Sequence, residues 1–93
     1  MSEYMRIEEE ETEDPFTMIL RTNLQLAEGD QAEVYESSDA LYEGGTVAQL
    51  FAPVEGILRL ELDGTDAIIT RDPQYDWYNM FADISGLLKD FFI

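Results

Sequence analysis

Cysteine and histidine are both absent from the 93 residues, and the two absences remove most of the side-chain chemistry available to a small protein. Without cysteine there is no disulfide framework, no thiolate nucleophile and no sulfur ligand for zinc or an iron–sulfur cluster. Without histidine, the usual proton shuttle near neutral pH and the imidazole metal ligand are gone as well. Positive charge is also scarce: 5 Lys and Arg stand against 21 Asp and Glu, a formal net charge of −16. Such a field repels polyanions, so nucleic-acid phosphates and anionic membrane surfaces are not expected partners. No apolar run is long enough to span a bilayer. Residues 1–11, MSEYMRIEEEE, have neither the basic and apolar regions of a secretory signal nor the Arg-rich, acid-poor character of a transit peptide. A soluble cytoplasmic protein is predicted.

Apolar residues make up 45% of the chain, which favours a folded core over disorder despite the charge. A chain of this length buries roughly 60–65% of its unfolded surface, so residues 1–93 are expected to form a single domain. The acidity itself has two readings. It is either the solvation chemistry of a protein working in high salt, where screening removes self-repulsion, or an acidic surface for a partner.

Residues 46–71, TVAQLFAPVEGILRLELDGTDAIITR, organise the chain. Thr46-Val47-Ala48-Gln49 matches a capping box, in which the Thr46 hydroxyl accepts from the Gln49 N–H and Gln49 reaches back to Thr46. Pro53 stops that helix near Phe51 or Ala52. At about two turns it is marginal alone, so Val47, Leu50 and Phe51 must pack on a sheet. Leu58, Leu60 and Leu62 then alternate with Arg59 and Glu61, the period of a half-buried strand. A four-residue loop over residues 63–66 would set Leu62 opposite Ala67 and Leu60 opposite Ile69, whereas a two-residue Asp63-Gly64 turn would bring Ile68 inward instead.

Around this unit, Tyr4-Met5-Arg6-Ile7 predicts a first, edge strand running out into the acidic residues 8–11. Asp14-Pro15 marks a turn, and residues 17–22, TMILRT, predict a second strand with Met18 and Leu20 on one face. Residues 23–30 end in the turn composition Glu28-Gly29-Asp30. Ala32, Glu33, Val34 and Tyr35 predict a short extra strand, and residues 37–42 a helical turn capped by Ser37 or Ser38. At the C-terminal end Trp77, Met80, Phe81, Ile84, Leu87, Leu88 and Phe91 form one apolar helical stripe. Asp72 with Pro73 opens that helix, or Asp76 caps it one turn later. Gly86 within the stripe suggests a close approach of the helix to the sheet. The expected fold is α+β: a two-layer β-β-α-β-β-α sandwich, its antiparallel-rich sheet carrying two helices on one face.

Glu61, Asp63 and Asp66 place three carboxylates near the hairpin turn, candidate oxygen ligands for a hard cation but without the spacing of a calcium loop. No nucleophile or base is tied to any carboxylate pair, so an enzyme is not expected.

Thr12-Glu13-Asp14-Pro15-Phe16-Thr17-Met18 resembles the Thr-Pro-Asn-Pro-Asn-Thr-Leu segment between the first strands of the Nfu/NifU N-terminal domain family. Thr46-Val47-Ala48-Gln49-Leu50-Phe51, followed by Val54-Glu55-Gly56-Ile57, is similar to its Ser-Pro-Leu-Ala-Gln-x-Leu-Phe, x-x-Gly-Val segment, and Asp76-Trp77 to its Asp-Trp helix opening. The ordered likeness covers about residues 4–92. Glu13 and Phe16 depart from it, replacing a proline and an asparagine, and the acidity is unusual for the family. The resemblance implies the same β-β-α-β-β-α order and an accessory part in iron–sulfur cluster assembly on a scaffold protein. In that family a Cys-x-x-Cys pair in a separate domain holds the cluster, so the implied role here is binding of an assembly or acceptor protein, or weak iron binding by carboxylates. No tightly bound cofactor is implied. The expected contact is the turn of Asp14, Pro15, Phe16 and Thr17, where Phe16 is either an anchor or folded back on the sheet. The alternative function is an acidic decoy occupying a basic nucleic-acid-binding surface.

Overall fold

The computed structural model describes residues 5–92; Tyr4, in the expected first strand, lies outside them. In chain order the elements are β1 (Ile7–Glu11), β2 (Thr17–Thr22), β3 (Glu33–Tyr35), α1 (Ser38–Tyr42), α2 (Thr46–Phe51), β4 (Ile57–Asp63), β5 (Asp66–Arg71) and α3 (Trp77–Phe92). The strands form one antiparallel sheet in the order β1-β2-β5-β4-β3. The α+β architecture thus stands, enlarged by β3 and α1 to five strands and three helices among the described residues.

The centre of the sheet follows from the alternation. Leu60 pairs with Ile69 and Leu62 with Ala67, the register expected of the longer loop, and all four are wholly buried. The strands run on to Asp63 and Asp66, leaving only Gly64 and Thr65 in the turn. Gly64 takes a φ of 61°, a left-handed conformation that glycine adopts without strain. Its carbonyl accepts from the N–H groups of Leu26 and Ala27, so the segment after β2 folds under the hairpin and buries both residues. Leu58 breaks the expected pattern. A bulge between Ile57 and Arg59 takes it out of register, because the extra residue reverses facing, and Leu58 lies exposed while Ile57 packs on the core.

Met18 and Leu20 of β2 join this buried face, with Val47, Ala48 and Phe51 of α2, Leu41 of α1, and Met80, Ile84 and Leu88 of α3 in one cluster. All three helices therefore contribute to the same layer. Ser37 caps α1, its hydroxyl accepting from the Ala40 N–H. Around α2 the capping differs from expectation. Gly45 is the N-cap and Thr46 the first helical residue. The Thr46 N–H donates to Glu28 Oε2 at 3.0 Å, and Gln49 Nε2 reaches the Gly44 carbonyl. A carboxylate from a distant loop thus replaces the local hydroxyl, a favourable charge at a helix start.

The third helix opens at the later of the two candidate caps: Asp76 Oδ1 accepts from the Asn79 N–H at 2.8 Å. Asp72 instead closes a separate turn, accepting from Gln74 through its side chain and from Tyr75 through its carbonyl. Gly86 is not at a close approach, since a Cβ there would meet nothing within 4 Å. Phe91 is exposed, and Phe92 packs on the core in its place. No helix among the described residues is long and apolar enough to cross a membrane.

Candidate functional site

The turn joining β1 to β2 is built by a short network. Asp14 Oδ1 accepts from the Phe16 N–H at 3.0 Å, Oδ2 accepts from the Thr17 hydroxyl at 2.9 Å, and the Asp14 carbonyl accepts from the Thr17 N–H at 3.0 Å. An aspartate that closes a turn on its own backbone in this way holds the tip in one conformation. The Phe16 backbone N–H and then the Thr17 hydroxyl bind its ionised form, so the Asp14 carboxyl lies below its ordinary value.

Phe16 follows neither simple alternative. Its ring lies 4.9 Å from the Arg71 guanidinium, folded back towards β5, yet it remains 37% exposed. The same guanidinium sits 5.4 Å from the Trp77 ring, and the Trp77 indole N–H donates to the Pro15 carbonyl at 3.1 Å. Arg71 itself donates to the carbonyls of Asp72, Pro73 and Tyr75. Among the described residues no carboxylate pairs with it, although acids outnumber bases fourfold in this chain. The strand β5, the turn and the start of α3 are thus locked together by one cation between two rings, an arrangement worth about 0.5–2 kcal/mol per stacked pair according to its desolvation.

Arg71 and Trp77 escaped the sequence reading as site residues. Trp77 reads as a member of an apolar stripe and as half of the Asp76-Trp77 helix opening, and Arg71 as the end of a strand. The β2–β5 pairing, which puts Thr17 opposite Thr70, brings Arg71 to Phe16, and the packing of α3 brings the Trp77 indole to the Pro15 carbonyl. No local spacing encodes that approach.

Beside this turn lies a cleft of about 260 Å³ lined by Glu11, Thr12, Glu13, Asp14, Pro15, Thr17, Met18 and Trp77. Its Met18 and Trp77 also border a small apolar crevice of about 10 Å³ between β1 and α3, where Glu9 and Phe81 join them.

The hairpin carboxylates are arranged otherwise. Asp66 Oδ2 pairs with Arg21 at 2.9 Å, and Glu61 Oε1 with Arg59 at 3.3 Å, while Asp63 faces Asp66 across the turn. Among the described residues no group of three or more carboxylates is placed to hold one metal ion. Two of the three candidate ligands are committed to arginines.

No protein-family model matches the chain, and no curated protein matches it. Among solved structures it is similar to protein SAV1430 from Staphylococcus aureus, with a TM-score of 0.69 and 16% identity, over 89% of this chain and 98% of that one. At that identity the likeness establishes the fold.

Proposed function

We propose that this domain is a non-catalytic adaptor of iron–sulfur cluster assembly, acting by protein contact through the turn of Asp14, Pro15, Phe16 and Thr17. The observation that carries the contact is the state of Phe16: a partly exposed aromatic fixed from behind by Arg71 and from below by the Asp14 turn. A pre-ordered aromatic loses little conformational entropy on binding, which is what makes such residues effective anchors. The link to cluster assembly rests on the Nfu/NifU-like motifs.

The donor set does not fit a cluster held by this chain. Iron–sulfur clusters are bound by thiolates, sometimes with imidazole, and neither is present. Carboxylates favour hard cations and without a preformed cage hold iron weakly. A decoy role would call for an unbroken stripe of carboxylates, and the uncovered face of the sheet does not favour it. There Arg21 bridges Glu10 and Asp66, and Arg59 lies between Glu36 and Glu61.

The test is affinity capture from the organism's own cells with the wild-type chain and with Phe16→Ala, followed by identification of the retained proteins. Retention of a cluster-assembly or acceptor protein by wild type, lost in Phe16→Ala while that variant still unfolds cooperatively with only a few degrees' loss of midpoint, is the expected result. Anaerobic incubation with ferrous iron and sulfide should leave no cluster absorption after desalting. A stoichiometric cluster retained on the isolated chain overturns the adaptor reading.

A further inference from the structure

The 260 Å³ cleft and the small crevice beside it, together the groove between β1 and α3, combine three features that have no common structural need. The first is an open sheet edge. β1 ends the strand order, so among the described residues its outer backbone groups have no strand partner, and such an edge is a template for an added strand. The second is an aromatic and apolar floor, Met18, Trp77 and Phe81, with Trp77 and Phe81 only partly buried. The third is uncompensated charge. The register puts Glu9 opposite Leu20 and Glu11 opposite Met18, on the helix side of the sheet, where both acids line the groove and its cleft. On the opposite side Glu10 is neutralised by Arg21, whereas Glu9 and Glu11 have no ion pair among the described residues.

Two occupants are excluded by charge. A second copy pairing through the same edge would set Glu8, Glu9, Glu10 and Glu11 against the same four acids, and like charges directly opposite are destabilising. A polyanion is repelled by the net charge of −16. A small molecule fits poorly too, because the 260 Å³ cleft falls short of the roughly 300–1,000 Å³ usual for such ligands. One long side chain suits it better.

We propose that this groove takes an extended, Lys- or Arg-bearing segment of a partner protein, added beside β1 with a cationic side chain set between Glu9, Glu11 and the Trp77 ring. Backbone pairing along β1 supplies affinity, and the alternate cationic residues on the groove side supply selectivity. Trp77 already carries one guanidinium, and it lines the cleft with Glu11 and the crevice with Glu9, so an entering cation meets an aromatic side chain as well as the acids. This inference names the partner chemistry for the adaptor reading and rests on it, but its test uses a defined probe and stands apart from capture in cells.

Trp77 is the single tryptophan, so its fluorescence reports the groove directly. The probes are a synthetic strand-forming peptide alternating Lys and Arg with Val and Thr, a peptide of the same charge built on glycine, and the Glu-substituted version of the first. At physiological salt the first should bind, change Trp77 emission and shift backbone NMR signals across residues 7–14 and around Trp77 and Phe81. The other two should bind at least tenfold more weakly. Glu9→Lys with Glu11→Lys should lower affinity more than tenfold, whereas the charge-matched pair Glu55→Lys with Asp83→Lys, on exposed positions elsewhere, should lower it less than threefold. Equal losses in the two pairs, equal binding of the glycine peptide, absence of binding, or shifts centred away from β1 each overturn the inference. Peptide binding without capture of any cluster-assembly protein leaves the groove intact and removes the adaptor reading. The reverse result removes the groove alone.

Discussion

The central hairpin and the edge strand belong to one sheet and are held by different forces. In β4 and β5, Leu60, Leu62, Ala67 and Ile69 are wholly buried beneath the helices. In β1 no residue is buried, and Ile7 is the only one of its five to reach even an intermediate position. What fixes β1 is its backbone ladder to β2, the Arg21–Glu10 pair and the Asp14 turn. Apolar burial is the larger stabilising term per residue, and exposed ion pairs contribute little. The centre therefore sets global stability, and the edge is the part free to open or to accept another strand.

The largest expected effect tests that division. Leu60→Ala removes a fully buried side chain and should cost on the order of 2–5 kcal/mol in equilibrium denaturation, while Ile7→Ala, at a partly buried position on the rim of the core, should cost well under half as much. Equal costs would break the comparison, because β1 would then belong to the same packed unit.

This division was largely legible in the residues. The alternation of Leu60 and Leu62 and the β-branched Ile68 and Ile69 fix the hairpin, because period-2 burial leaves one workable register once the loop is chosen. The stripe on α3 is equally explicit. Leu58 was not legible, since a bulge leaves the alternation intact in the sequence while reversing it in space. The capping of α2 was not either: the Thr46 and Gln49 motif is local, but Glu28 outcompetes it from 18 positions away. The candidate site falls between these cases. The turn shows in Asp14-Pro15, whereas Arg71 reaches Phe16 through strand pairing and Trp77 joins them through the packing of α3.

Gly56 gives the next largest effect. It holds a φ of 98°, and a Cβ there would come within 2.8 Å of the Tyr75 side chain. Its carbonyl also accepts from the Asp72 N–H at 2.7 Å, tying the start of β4 to the turn before α3. Gly56→Ala should destabilise by about 1–3 kcal/mol through backbone strain. An unchanged denaturation midpoint would show that this end of β4 relaxes as easily as the edge.

Gly86 should move stability the other way. It lies in the interior of α3 with nothing near its missing side chain, so alanine adds helix propensity and lowers unfolded-chain entropy without a clash. A gain of up to about 1 kcal/mol is expected. A loss on Gly86→Ala would mean that this face of α3 is covered in solution, which a concentration-dependent midpoint would reveal.

The smallest effect belongs to the edge and depends on pH. Asp14 has its folded-state pKa lowered from an ordinary 3.8 by the Phe16 N–H and then the Thr17 hydroxyl. A depressed carboxylate contributes stability that is present above its unfolded-chain pKa and is lost as pH falls through the lower folded value. Asn at this position keeps an acceptor for the Phe16 N–H but has no charge and places an NH2 where Oδ2 accepts from the Thr17 hydroxyl, so it loses the ionised interaction together with that bond. Thermal midpoints of wild type should therefore exceed those of Asp14→Asn near neutrality, and the gap should narrow as pH falls below 3.8. The comparison must be a difference between the two proteins at each pH, because protonating the other acids also relieves self-repulsion and shifts both curves together. Edge control of the turn predicts one further contrast. Quenching of Trp77 fluorescence by added acrylamide should increase in Asp14→Asn as the Pro15 carbonyl becomes less well fixed beneath the indole, while hydrogen exchange at Leu60 and Ile69 stays at the wild-type rate. A gap independent of pH would show that the Asp14 charge does not hold the turn, and faster exchange in β4 and β5 would show that edge and centre are one unit after all.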